Sequence, residues 1–283
     1  MLRTRLWMGA ILIALASGVL AVDEFLGPWY PFLLVLILAL ALASCYELLQ
    51  LLGPALRLPA WLCYASIAAV IAANWAAHMF GSATAWTWVV GTFAAVVLSA
   101  FLVEMATFRA PGSSVVRIAV VVFVASYLGL LPSFLVQLRW PASELQAEDG
   151  VRRCTVALAL AIFVPKCCDI GAYFTGRWLG RHPMTPVLSP KKTWQGLAGG
   201  LIVSALAAFA INRFGGGLRD AAPLGFGVTV GGAGVLGDLA ESLVKRDCQK
   251  KDASQSVPGF GGVLDIVDSV LFAAPVAYCW LGV

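Results

Sequence analysis

Six ionisable residues lie inside long apolar stretches of this sequence and cluster by spacing: Lys166, Asp169, Asp238, Glu241, Asp265 and Asp268. Lys166, Asp169 and Tyr173 recur at i, i+3, i+7. Asp238, Glu241, Ser242 and Lys245 recur at i, i+3, i+4, i+7, and Asp265, Asp268 and Ser269 follow the same rule. Each set therefore shares one helical face. Salt bridging to Lys166 and Lys245 accounts for part of the pattern, but the carboxylates outnumber these intramembrane cations. Acids gathered in a low-dielectric setting need a counter-charge, and hard oxygen donors suit Mg2+ or a similar ion. The acids so gathered are Asp169, Asp238, Glu241, Asp265 and Asp268, and Asp238 and Glu241 would hold a metal.

Two polar loops adjoin these faces. LSPKKTWQG (188–196) places Lys191 and Lys192 before a helix start, with Ser189-Pro190 and Thr193 favouring a turn and a cap. Lysines beside a helix N-terminus suit phosphate. SVPGFGG (256–262) is a glycine-rich loop leading into the helix of Asp265, and Gly261 and Gly262 would let backbone amides approach phosphate oxygens. Between the loops, GDLAESLVKRDCQKKD (237–252) follows its two acids with Lys245, Arg246 and Lys251. Together these residues describe a polyphosphate and a divalent ion at a membrane face.

The elements that must position them are membrane spans. Of 283 residues, 60% are hydrophobic and 12% charged, against about 25% charged in soluble domains. So much apolar surface requires the bilayer as solvent. Nine segments have the length of a transmembrane helix: 6–22, 29–52, 59–80, 85–108, 115–138, 154–176, 196–212, 222–244 and 262–282. The fold class expected is an all-α integral membrane protein. The first span also resembles a signal peptide, but its apolar stretch is longer than the usual h-region, which favours a retained helix.

Arginine and lysine set the orientation. With the N-terminus inside, the cytoplasmic side holds Arg3, Arg5, Arg57, Arg109, Arg117, Arg177, Arg181, Lys191, Lys192, Lys245, Arg246, Lys250 and Lys251. The opposite side holds Arg139, Arg152, Arg153, Arg213 and Arg219. The bias predicts N-in and C-out, with both basic loops in the cytoplasm. No internal repeat is apparent. The spans of 1–138 are nearly devoid of polar residues and read as a scaffold, and 139–283 reads as the catalytic region. Glu47 and Glu104 stand alone near span ends and read as interfacial carboxylates. Asn74 and His78, at i, i+4, read as a helix-packing pair. The seven cysteines show no CxxC spacing and read as small hydrophobes.

The stretch SLVKRDCQKKDASQSVPGFGGVLDIVDS (242–269) resembles the signature of the phosphatidate cytidylyltransferases, or CDP-diacylglycerol synthases. The matching positions are Ser242, Lys245, Arg246, Lys251, Asp252, Pro258, Gly261, Gly262, Asp265 and Asp268. DIGAYFTGR (169–177), LSPKKTWQG and GDLAES (237–242) resemble the family's upstream motifs. Phe260 and Ile266 depart from it, standing where the family usually carries His and Arg; Val257 is a minor change.

The resemblance implies that CTP and phosphatidic acid give CDP-diacylglycerol and pyrophosphate, the lipid phosphate being the nucleophile. It implies Mg2+, a second, monovalent ion such as K+, and a homodimer. No nucleic-acid partner is expected. Asp238, Asp265, Lys245 and Asp268 would be catalytic; Asp238, Asp265, Glu241 and Asp169 would be the metal ligands; Ser189, Lys191, Lys192, Thr193, Arg246, Lys251, Gly261 and Gly262 would hold CTP or lipid phosphate. The setting implied is a bacterial cytoplasmic membrane, with the site facing the cytoplasm. Two alternatives remain open: CTP-dependent activation or phosphorylation of another membrane lipid (a polyprenol or an ether lipid), and a cation transporter.

Overall fold

The computed structural model describes residues 2–53, 59–80, 84–140, 148–215, 223–259 and 261–281. The helices are α1 (Leu2–Glu24), α2 (Pro31–Leu52), α3 (Ala60–Phe80), α4 (Ala85–Thr107), α5 (Ser114–Ala125), α6 (Leu131–Gln137), α7 (Glu148–Leu179), α8 (Trp194–Gly215), α9 (Pro223–Asp247) and α10 (Leu264–Leu281). A π turn, Ser126–Leu130, joins α5 to α6, so that Ser114–Gln137 forms one span. Among the described residues nine segments are long and apolar enough to cross a membrane. They correspond to the nine read from the sequence, and the chain is an all-α integral membrane protein.

Local chemistry sets several boundaries. Pro31 occupies the first turn of α2, where its missing N–H removes no helical bond. The carboxylate of Asp23, at the end of α1, accepts hydrogen bonds from the next two amides, Phe32 N at 3.1 Å and Leu33 N at 2.6 Å. One helix thereby caps the next. Pro132 opens α6. It cannot donate to the preceding turn, and the wider π turn takes up the displaced residue.

The 32 residues of α7 correspond to about 48 Å of helix, well beyond a hydrocarbon core of about 30 Å. This helix is therefore longer than an upright crossing of the core requires, and its polar residues Lys166 and Asp169 lie well inside it. Between α7 and α8 the chain forms a small antiparallel hairpin, β1 (Pro183–Thr185) with β2 (Ser189–Thr193), pairing Pro183 with Thr193 and Thr185 with Ser189. Thr193 Oγ1 accepts from Gly196 N at 3.1 Å, the N-cap expected from its position. Gln195 Oε1 holds the hairpin's base through Arg181 N and His182 N.

Helices α7, α8, α9 and α10 pack most extensively on one another; α2 and α6 pack on α10, α1 packs on α7, and α3, α4 and α5 pack mainly on one another and on α2 and α6. Glu104 is no lone interfacial acid: Arg117 grips it bidentately, 2.7 Å at each contact, joining α4 to α5. Asn74 and His78 also part company. Asn74 bonds to Ser133 and Gln137 of α6, whereas His78 stacks on Trp140 at 4.1 Å. All seven cysteines are free.

Contacts between connections divide the ends of the bundle into two faces. Lys250 Nζ donates to Gln50 O and Arg246 Nε to Leu188 O, gathering the end of α2, the hairpin and the segment after α9. Trp140 Nε1 donates to Pro28 O, and Arg139 donates to Thr155 Oγ1 while lying over the Tyr30 ring, gathering the other ends. In a background lacking Cys248 and Cys279, Val187→Cys and Gln255→Cys should react with an impermeant thiol reagent from one side of the membrane. Phe25→Cys should react only from the other. Labelling of all three from one side would contradict this arrangement.

Candidate functional site

Two helices, α9 and α10, bring three of the acids together. Asp238, Glu241 and Asp268 each offer a carboxylate oxygen, and these oxygens lie within 4.8 Å of one another. Asp238 and Glu241 share the α9 face predicted by their spacing. Asp268 comes from α10, and the approach depends on Gly237: a Cβ there would collide with the backbone carbonyl of Asp268 and meet Phe272 Cβ at 3.1 Å. The small residue lets the two helices touch where their acids converge.

Lysines surround the trio. Lys192, on β2, places Nζ 2.7 Å from Asp238 Oδ2. This is an ion pair without hydrogen-bond alignment, since Lys192 Nζ has no hydrogen-bond acceptor among the described residues. Lys166 stands 3.6 Å from both Asp169 and Asp268, too far for a hydrogen bond. Lys245 is buried and held tightly, 2.7 Å from Glu241 Oε2 and 2.5 Å from Asp265 Oδ1. Against these three cations stand five carboxylates, and the site keeps an excess of negative charge.

Glu241 is only 1% exposed, and its Oε1 has no hydrogen-bond partner among the described residues. An unpaired carboxylate oxygen in a buried position is costly. With two further carboxylates within reach, the donor set is all hard oxygen, the chemistry that suits a small divalent cation.

Asp265 lies outside the trio. Its Oδ1 is taken by Lys245, and its Oδ2 accepts from Gly262 N at 2.7 Å and Ala253 N at 3.3 Å. The structure thus makes it an anchor for Lys245 and for the loop entering α10. Asp169 stays at the edge with Lys166. The loop glycines also have a structural use. Gly261 adopts φ +106° and exchanges backbone bonds with Val257, and its amide and that of Gly262 are already engaged within the protein. Ser189 lies on β2, and Lys191 and Lys251 are exposed. Arg246 braces the hairpin through Leu188 O and the Lys250 carbonyl. Ile266 is partly buried on α10; Phe260 lies outside the described residues.

Glu47 is the residue whose reading changes most. It is 3% exposed and accepts hydrogen bonds from Ser254 Oγ at 2.6 Å, Val263 N at 3.0 Å, Leu264 N at 2.8 Å and Ser256 Oγ. An anionic acceptor thus sits on the N-terminus of α10, where the helix dipole favours it. A Cβ on Gly262 would collide with the Glu47 carboxylate, so glycine there makes room for this cap. The only signal in the sequence was an acid inside an apolar span; its partners lie more than two hundred residues away.

A model of the cytidylyltransferase family matches residues 3–283. The chain is 36% identical over 174 residues to a phosphatidate cytidylyltransferase of Synechocystis sp., covering 54% of this chain and 58% of that one. It is 44% identical over 112 residues to a phosphatidate cytidylyltransferase of Haemophilus influenzae, covering 38% and 39%. To phosphatidate cytidylyltransferase 4, chloroplastic, of Arabidopsis thaliana it is 31% identical over 202 residues, covering 66% and 51%. The matched segments thus span roughly two fifths to three fifths of these relatives' own length.

Proposed function

Since the chain belongs to the cytidylyltransferase family, we propose that it joins CTP to phosphatidic acid at a membrane surface, giving CDP-diacylglycerol and pyrophosphate. The observation that carries this reading is the convergence of Asp238, Glu241 and Asp268 beside Lys192 and Lys245, with one oxygen of Glu241 unpaired. An oxygen of the lipid phosphate forms a bond to the α-phosphorus of CTP, the bond from that phosphorus to the β-phosphate bridging oxygen breaks, and pyrophosphate departs. Both reactants are anionic, so the site's main task is to lower their mutual repulsion and align them.

Asp238, Glu241 and Asp268 would hold Mg2+, which when bound supplies positive charge to the phosphates. A monovalent ion such as K+ is the second cofactor the family resemblance implies. Lys192 is placed to exchange Asp238 for a phosphate oxygen, because its ammonium is in contact with the acid without being aligned to it. Lys191, Arg246 and Lys251 supply positive charge around the entrance. Lys245 fixes Glu241 in place while Asp265 fixes Lys245. No nucleophilic side chain is needed, because the lipid phosphate is the nucleophile. In this reading the hairpin and the segment after α9 face the cytoplasm, the source of CTP.

Ile266 favours one second reading. An isoleucine where the family usually carries arginine removes a phosphate fork and would suit a lipid substrate other than phosphatidic acid. Purified protein given radiolabelled CTP, Mg2+ and a panel of phosphorylated and unphosphorylated lipids distinguishes the two. The expected product is labelled CDP-diacylglycerol from phosphatidic acid alone. Turnover of a different lipid would replace the substrate and keep the nucleotide site. No CTP consumption with any lipid would leave the acids to a cation-transport role.

A further inference from the structure

The π turn of the fifth span carries a polar group that nothing in the fold accounts for. Tyr127 is 6% exposed, and its hydroxyl is buried without a hydrogen-bond partner among the described residues. Leaving a buried polar group unpaired costs about 1–3 kcal/mol, and buried tyrosine hydroxyls usually find a partner. Phenylalanine would fill the same space without that cost.

The ring itself is held firmly. It stacks on Phe123 at 5.5 Å and meets Phe272 edge-on at 6.4 Å. Phe272 lies one turn beyond Asp268 on the same face of α10. Gly237, beside Asp238 on α9, packs against the Asp268 carbonyl and Phe272 Cβ. The Tyr127 ring therefore borders the seam where α9 and α10 bring their acids together. The carboxylates of Asp268, Glu241 and Asp238, the trio itself, lie within electrostatic reach of its hydroxyl. π turns in α-helices frequently mark functional sites, and this one carries an unpaired hydrogen-bond donor on a ring that borders the acid-bearing seam.

We propose that Tyr127 donates its hydroxyl to a phosphate oxygen of the substrate held at the Asp238–Glu241–Asp268 site, so that the fifth span contacts the reacting groups. This rests on the function proposed above. The phosphate could belong to the nucleotide or to the lipid, and binding can tell them apart.

Tyr127→Phe removes the hydroxyl and keeps the ring contacts. Purified wild type and variant are titrated calorimetrically with CTP plus Mg2+, and separately with dioctanoyl phosphatidate plus Mg2+; melting temperatures and steady-state kinetics are measured alongside. The expected result is an unchanged melting temperature and an affinity weakened ~10-fold or more in one arm, the scale of a hydrogen bond to a charged acceptor. The weakened arm identifies the phosphate, and the KM for that substrate rises with it. Affinities and kinetic constants matching wild type in both arms overturn the inference, and so does a lowered melting temperature with unchanged affinities. If wild type binds either ligand but shows no turnover, the proposed function fails and Tyr127 is still judged on the binding arms. If wild type binds neither, both fail.

Discussion

Asp238→Asn should lower Mg2+-dependent turnover by at least ~10²-fold, the scale of losing a few kcal/mol of electrostatic stabilisation, and leave the fold intact. Asparagine matches aspartate in shape, and the Asp238 side chain is 33% exposed, with Lys192 as its ion-pair partner. Little of the packing therefore depends on its charge. Asp265→Asn should behave differently. It takes a buried partner from Lys245 and weakens the acceptor of two loop amides. Breaking a buried ion pair typically costs ~3–5 kcal/mol, so this variant should lose thermal stability as well as activity. Turnover measured across a Mg2+ series, with melting temperatures of both variants, separates the two roles. Wild-type turnover of Asp238→Asn at limiting Mg2+ would remove Asp238 from the metal site. A lowered melting temperature for Asp238→Asn alone would reverse the assignment of ligand and anchor.

The second large effect is expected far from the acids in sequence. Glu47→Ala leaves four donors without their acceptor: two serine hydroxyls and the first amides of α10. Of these only the Leu264 amide is buried, and a buried donor left unpaired costs about 1–3 kcal/mol; the favourable charge at the helix N-terminus is lost as well. The loop 252–262 should loosen, and Asp265 and Asp268, just inside that helix end, should lose their fixed position. Trypsin should then cleave after the exposed Lys250 or Lys251 faster than in wild type, with CTP-dependent turnover falling in parallel. Glu47→Gln keeps one carbonyl acceptor and should fall between the two. Unchanged cleavage and turnover in Glu47→Ala would show that the loop is held by other contacts.

Sequence periodicity reached only as far as a single helix. The shared face of Asp238 and Glu241 follows from 3.6 residues per turn, and the nine spans follow from apolar length; both match the structure. Which acids from different helices converge does not follow. Asp265 and Asp268 differ by about 60° around α10 and one turn along it, enough to send Asp268 to the trio and Asp265 to Lys245. The hairpin escaped notice because 181–193, with three prolines and several cations, has the composition of a loop. Glu47 and Tyr127 escaped because each stands in an apolar span with no charged neighbour at helical spacing. Their partners are supplied by tertiary packing alone.

The bond from Ser254 to Glu47 spans 207 residues, and this has a consequence for biosynthesis. A chain made from its N-terminus inserts Glu47 with the second span, long before its donors exist. At ~5–20 residues per second, the acceptor waits about 10–40 s for them. Throughout that interval the nascent bundle holds an acid without these partners, and the N-terminus of α10 has not yet been made. The carboxylate site is therefore among the last parts of the molecule to be completed, and a ribosome that stalls before the final span leaves the acids of α9 without Asp268 to join them.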